Sequence, residues 1–278
     1  MAMLGPDATE IQLERLREEL HLNDSVFIQY FIWLRNALHG NFGKSFLYNM
    51  DVLELVLSKA GITVHVGFAA LILTALVGIP IGIVCAIRKD TWLDQVLSIF
   101  ANFGMSAPSF WLAILGVYFL SYKAGLFPIS NYVPLSEGFW ASTHSIVLPA
   151  VTLSLSPMAS VVRQTRSAML EVINQDYIRT AEAKGVTSRR IVFRHALKNA
   201  MIPVITQLGM QVRTVIGGSV VVETVFNLPG VGRLLTQGVQ TKDILLIQGS
   251  IMMIGLVVCV VNMLVDISYA YFNPKIRY

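Results

Sequence analysis

The sequence predicts an all-α, polytopic membrane protein, and three observations carry that prediction. The chain of 278 residues is 54% hydrophobic and 14% charged, with a mean hydropathy of +0.62, whereas soluble domains carry roughly 25% charged residues. Five apolar segments approach or exceed the ~20 residues that cross a bilayer. Between the third and fourth lies a polar, basic island running from Asp176 to Pro203. The net charge of +4 fits loop cations facing the cytoplasm better than nucleic-acid binding. Cys85 and Cys259 fall inside apolar runs and read as small packing residues, with no metal-type spacing. The N-terminus is polar and acidic, with no signal-peptide pattern.

Residues 1–58 read as an amphipathic N-terminal region. Thr9 and Gln12 make a capping-box pattern, and Leu13, Leu16 and Leu20 give one apolar stripe on a short helix. A second helix starts at Ser25, carries Ile28, Phe31, Ile32 and Trp33, and is broken by Gly40 and Gly43. Tyr30, Trp33 and Tyr48 suit a membrane interface. This region either caps the substrate entrance or packs over the ends of the bundle.

The first apolar segment runs from about Gly61 to Ile87. Gly67, Gly78 and Gly82 permit close helix contacts there, and Pro80 favours a kink. The second runs from about Asp94 to Ser121. Its centre, Ser106-Ala107-Pro108-Ser109-Phe110-Trp111, interrupts helical hydrogen bonding at membrane depth. Such backbone is tolerated only when buried in protein or lining a cavity. Ser106, Pro108, Ser109 and Phe110 are therefore candidates for a translocation pathway, the alternative being a kink that serves packing. A loop rich in Tyr, Pro and Trp covers residues 122–144. The third segment, about Ser145 to Val162, contains Pro149 and Pro157. The fourth, about Met201 to Val222, carries Gln207, Gln211 and Arg213. The fifth, about Ile244 to Tyr271, carries Asn262 and Asp266 towards its end.

The island reads as two short helices joined at a glycine. Asp176 places negative charge at the first N-terminus. Gly185 suits a left-handed helix-closing residue, and Thr187 or Ser188 can cap the next helix. That helix carries Ile191, Val192, His195 and Ala196 at helical spacing, with Arg189, Arg190, Arg194 and Lys198 around them. Lysine and arginine placement orients the chain. Arg88, Lys89, the island and the Lys275–Arg277 end fall on one side if five spans alternate, so that side is expected to be cytoplasmic and residues 1–58 extracytoplasmic.

The island closely resembles the "EAA" loop of binding-protein-dependent ABC importer permeases. The matching residues are Thr180, Ala181, Glu182, Ala183, Lys184 and Gly185, then His195-Ala196-Leu197-Lys198-Asn199-Ala200 and Pro203. The likeness extends over nearly the whole chain, towards the first of the two permeases in the dipeptide, oligopeptide and nickel branch. Ser106 to Trp111 is similar to that branch's third-helix motif. Val221-Val222-Glu223-Thr224-Val225-Phe226 with Leu228-Pro229-Gly230-Val231-Gly232 resembles its external loop, and Asn273-Pro274-Lys275-Ile276-Arg277-Tyr278 its C-terminal signature. Glu182 stands where the branch often has Arg, and Arg213 where it often has a small residue.

The resemblance implies a type I importer permease fold: a transmembrane domain over 59–278 with a cytoplasmic coupling loop over 163–200. The branch begins with an extra helix followed by a segment like Leu4-Gly5-Pro6-Asp7-Ala8-Thr9, so the full protein is expected to have six spans, about five of them in this chain. It implies a second homologous permease, two ATPase subunits that carry ATP and Mg, an extracytoplasmic substrate-binding protein, surrounding lipid, and a bacterial or archaeal cytoplasmic membrane. Glu182, Ala183 and Gly185 are the expected ATPase contacts.

No catalytic constellation is legible. The sequence has neither a phosphate-loop motif nor a His-Glu-x2-His metal motif. A lone His65 near the outer end of the first span is more often a hydrogen-bonded structural residue than a nickel ligand. Arg213, midway along the fourth span, is a candidate counter-charge for a carboxylate, a partner for an acid on the second permease, or a cap for free carbonyls. Asp266, near the cytoplasmic end of the fifth span, suits a structural ion pair or helix-end contact. Glu223 and Arg233 flank the external loop as gate or binding-protein contacts. The competing class is a membrane-embedded enzyme or an ATP-independent carrier, which would retain uptake without ATPase partners.

Overall fold

The computed structural model describes Ile11, Glu14 and residues 23–272, the side chains of Asp266 and of 268–272 excepted. The capping pattern at Thr9, the leucine stripe, Asp266 and the tail from Asn273 lie outside the described residues.

Helix α1 spans Val26–Leu38 and buries none of its side chains. Gly40 and Gly43, at φ +79° and +81°, turn the chain into a short link that pairs Lys44 with Asp51. Helix α2 then runs unbroken over Val52–Ile87 with Pro80 inside it. It begins nine residues earlier than its apolar segment, because Val52, Leu55 and Val56 pack against Val231, Leu234 and Leu246 at one end of the bundle.

The second predicted span is two helices. α3 (Trp92–Ser106) and α4 (Ser109–Gly116, continued by π-helical turns through Lys123) are bent by 104°. Pro108 causes the break: it lacks an amide hydrogen and pushes Ala107 into extended backbone. Helix α5 covers Phe139–Ile173, with Pro149 and Pro157 inside it. It is the bundle's centre, with 67% of its most apolar window buried against 17% for the last helix. α2 packs closely on α5 because Gly78 and Gly82 carry no side chains. A Cβ at Gly82 would lie 2.5 Å from the Thr165 Cβ and 2.7 Å from the Val162 carbonyl.

The island forms α6 (Asp176–Ala183) and α7 (Ser188–Arg190), the latter continued by π-helical turns over Ile191–Ala196. Helix α8 follows as Leu197–Val225, then α9 as Val231–Thr241 and α10 as Ile244–Phe272. Among the described residues, three helices are long and apolar enough to cross a membrane, and the bent pair makes a fourth. The remaining expected span, α8, has the length, at 29 residues, without the composition. Two of its polar groups, Gln211 and Glu223, are buried against protein, where a polar group finds partners that lipid cannot supply, whereas Arg213 and Thr214 are exposed.

Candidate functional site

Two short helices and a glycine corner form the island. α6 closes with a doubly bonded turn: the Gly185 amide donates to the Glu182 carbonyl at 2.9 Å, and the Val186 amide to the Ala181 carbonyl at 3.2 Å. That closure demands a left-handed residue, and Gly185 sits at φ +76°. Thr187 then takes the N-cap position in extended backbone, with no capping hydrogen bond from its side chain. Ile178, Ile191 and Ala196 are fully or nearly fully buried and share one cluster with Ile83, Met169 and Val204 of the spans. A second tie is polar: the Asn199 Nδ2 donates to the Tyr177 hydroxyl at 2.7 Å, joining α8 to α6. The corner is therefore anchored from beneath.

Its outer surface has no such partners. Glu182, Ala183, Lys184 and Gly185 are exposed, and a Cβ built on Gly185 would meet nothing within 4 Å. Arg189, Arg190, Arg194 and Phe193 are exposed beside them. Thr180 donates back to the Asp176 carbonyl at 2.9 Å, His195 is half-buried in the π-helical turns, and Pro203 lies exposed in the second turn of α8.

The helix break lies elsewhere. Ala107 and Ser109 line a cavity of about 150 Å³ with Thr152, Ser156 and Pro157 of α5 and Thr214 and Gly218 of α8. Interrupted backbone and several hydroxyls thus face a partly open cleft between α4, α5 and α8. Phe110 is half exposed on the far side of the break. Arg213 is exposed on an α8 face shared with Met210, Thr214 and Gly217. Among the described residues its guanidinium makes no ion pair or hydrogen bond.

Glu223 occupies a closed position. It is fully buried, and its Oε2 accepts from the Gly232 amide at 2.8 Å and the Arg233 amide at 3.2 Å. It therefore caps the start of α9 and presents no carboxylate to a gate or to a docked protein. Arg233 donates to the Asn227 carbonyl at 3.2 Å. His65 shares a hydrogen bond of 3.1 Å with the Tyr132 hydroxyl, the structural role weighed above.

Two acids were not singled out by sequence. Asp243 is buried; its Oδ1 accepts from the Leu246 amide and its Oδ2 from the Ser45 hydroxyl at 2.7 Å. It caps α10 and staples residues 45–47 to that end, so this link packs over the bundle. Its place just before a long apolar run was the available signal. Asp94 is also buried, and Arg166 of α5 grips it through two hydrogen bonds of 2.8 and 2.7 Å. The pair is 72 positions apart in the chain, and no local pattern marks it.

A family model described as the binding-protein-dependent transport system inner membrane component matches residues 78–278. A peptide transport system permease protein of Brucella abortus is 40% identical over 274 residues, covering 99% of this chain and 87% of that protein. The oligopeptide transport system permease protein AppB of Bacillus subtilis is 36% identical over 279 residues, covering 99% of this chain and 88% of that protein. Among solved structures, a chain of the MetNI methionine ABC transporter in an inward-facing conformation superposes with a TM-score of 0.63. It is 18% identical, covering 80% of this chain and 97% of that one, a likeness of fold. The chain belongs to the family of binding-protein-dependent transport system inner membrane components, and it is the permease component of such an ABC transporter.

Proposed function

We propose that this permease imports di- or oligopeptides, or a related small solute such as glutathione or a nickel complex, across the cytoplasmic membrane. Two separate ATPase subunits, which hold ATP and Mg, drive it through the α6–α7 corner. A second homologous permease completes the pathway, and an extracytoplasmic binding protein delivers the solute. The names of the Brucella and Bacillus relatives support the peptide class. In this reading residues 1–58 are extracytoplasmic, 59–278 form the transmembrane domain, and the 163–200 segment and C-terminus are cytoplasmic. The membrane is the inner one in a Gram-negative cell.

One observation carries the coupling role. The corner from Glu182 to Gly185 is exposed and open on its outer side, yet anchored beneath by Ile178 and by the Asn199–Tyr177 bond. A surface that is rigid but unfilled suits docking of a partner, because little ordering cost remains to be met on binding. Small Ala183 and Gly185 permit close approach, Glu182 supplies a charge for a partner base, and Thr180, Ala181, Lys184, His195 and Pro203 shape the corner around them. Once docked, closure of the ATPases moves α5 and α8, which the corner joins, and biases inward- against outward-facing states.

The pathway follows the cavity at the break. Ser106, Pro108, Ser109 and Phe110 lie at or beside it, and the α8 face with Arg213 looks towards the second permease across it. A charged residue at membrane depth belongs on such a surface rather than in lipid.

The test is Ala183→Trp, which adds bulk on the exposed corner without straining its backbone. Uptake of radiolabelled trialanine and ATP hydrolysis are measured in proteoliposomes holding both permeases, both ATPases and the binding protein. The expected result is loss of uptake by roughly tenfold or more, with assembly retained and ATP hydrolysis no longer stimulated by loaded binding protein. Unchanged uptake would count against docking at this corner.

A further inference from the structure

Helix α3 is fastened to the half of α5 that leads into the corner. Asp94 lies in the first turn of α3 with only 5% of its side chain exposed, a position that the helix dipole already favours for an acid. Its two oxygens take the Arg166 Nε and Nη2 in a planar fork at 2.8 and 2.7 Å. The Asp90 amide adds a bond of 3.1 Å and the Ser98 hydroxyl a longer one of 3.4 Å. A forked, charge-assisted pair fixes direction as well as distance. Further along, Arg163 Nη2 and Ser160 Oγ of α5 approach the Met105 sulfur at 3.5 and 3.8 Å, and Gly104 lies against the Leu155 carbonyl. α3 is thus held antiparallel to α5 up to the residue before the break.

Beyond the break, among the described residues, α4 meets α5 through apolar contacts rather than polar ties: Ala113 is buried with Ile146, Leu148 and Leu153, and Gly116 lies against Leu148. α4 leaves at 104° and, with α5 and α8, walls the cavity at Ala107 and Ser109. The other end of α5 runs through Asn174 and Gln175 straight into α6. A connection therefore runs from the corner through α5 to α3, and its polar ties end where the backbone is interrupted.

We propose that Asp94 and Arg166 are positioning residues of the transport cycle. Their fork makes α3 move with α5, so that displacement of the α6–α7 corner is delivered to the Ser106–Pro108 break and opens or closes the cavity there. The inference rests on the coupling role proposed above. Asp94 and Arg166 touch neither solute nor ATPase; they act through the break.

The test uses the assembled transporter reconstituted with its ATPases and binding protein. Asp94→Asn keeps the side chain's size and loses its charge; Arg166→Lys keeps the charge and loses the fork. Trialanine uptake, ATP hydrolysis and the amount of assembled complex are measured for each. A distance is also read between spin labels at Ile99→Cys and Ile114→Cys, on either side of the break, in a Cys259→Ser background with and without ATP and vanadate. The expected result is roughly tenfold less uptake per ATP hydrolysed in Asp94→Asn, a smaller loss in Arg166→Lys, and a label distance that no longer changes with nucleotide.

A pair that only stabilises would instead lower the amount of complex. Uptake per ATP and the nucleotide-dependent distance would stay as in the parent, and the inference would be overturned. If Ala183→Trp abolishes coupling while Asp94→Asn does not, the corner docks but the strut fails. If neither variant alters coupling, the docking role fails and the strut falls with it.

Discussion

Two corners of this permease use the same backbone device for opposite ends. At one, α6 turns into α7 through Gly185 at φ +76°; at the other, α8 turns into α9 through Asn227 at φ +54°. Both close with a paired bond: the Leu228 amide donates to the Glu223 carbonyl at 2.8 Å, matching the Val186–Ala181 bond. The difference lies in what surrounds the turn. The Asn227 corner is filled by its own chain, with Phe226, Leu228 and Glu223 buried and one oxygen of the Glu223 carboxylate bonded to the start of α9. The Gly185 corner carries its acid, Glu182, on the outside with open space next to it. A charged residue near a turn thus has two meanings. It completes the fold where the chain returns over it, and it stays exposed where the chain does not.

The largest effect that would break this comparison is expected at Glu223. Glu223→Ala orphans the buried amides of Gly232 and Arg233 and leaves a gap against Gly230, a loss of about 3 kcal/mol or more. A sharply lowered melting temperature of the detergent-solubilised complex checks it. Gly232→Ala comes next: its Cβ would lie 2.5 Å from the Val220 Cα, backbone that cannot swing aside, at a cost of about 1–3 kcal/mol in the same melt. Gly185→Ala meets no neighbour and costs only the left-handed conformation, about 1–2 kcal/mol locally. Faster amide hydrogen exchange confined to residues 181–190 is the expected sign. Smallest is Arg179→Ala. Its 3.9 Å contact with Asp176 joins two well-exposed side chains, so melting is expected not to move.

Much of the fold was legible because lipid leaves few choices. Long apolar runs become helices, and Pro108 and Gly185 act locally, so their roles follow from their neighbours in sequence, while Gly78 and Gly82 were readable as small residues in an apolar run though the helix they meet, α5, was not. The helix-closing role of Gly185 was readable for that reason. The early start of α2 was not, because Val52 to Val56 are helical by packing on α9 and α10 rather than by pattern. The break at Pro108 was visible but its 104° bend was not, since direction depends on the surfaces that α4 meets. Glu223 read as an external-loop contact because a buried cap nine residues downstream leaves no periodic trace. The Asp94–Arg166 fork was invisible for the same reason over a longer separation.

The docking claim is tested most directly by where an ATPase subunit can be captured. Cysteines are introduced one at a time at Ala183 in the Gly185 corner and at exposed Thr224 beside the Asn227 corner, in a Cys259→Ser background that keeps only the buried Cys85. Membranes holding the assembled transporter are treated with a short reagent that joins a thiol to an amine, so that the introduced cysteine is linked to a nearby lysine of a partner. The account predicts a permease–ATPase product from Ala183→Cys and none from Thr224→Cys. No product from Ala183→Cys, or an equal yield from the Asn227 corner, would contradict it.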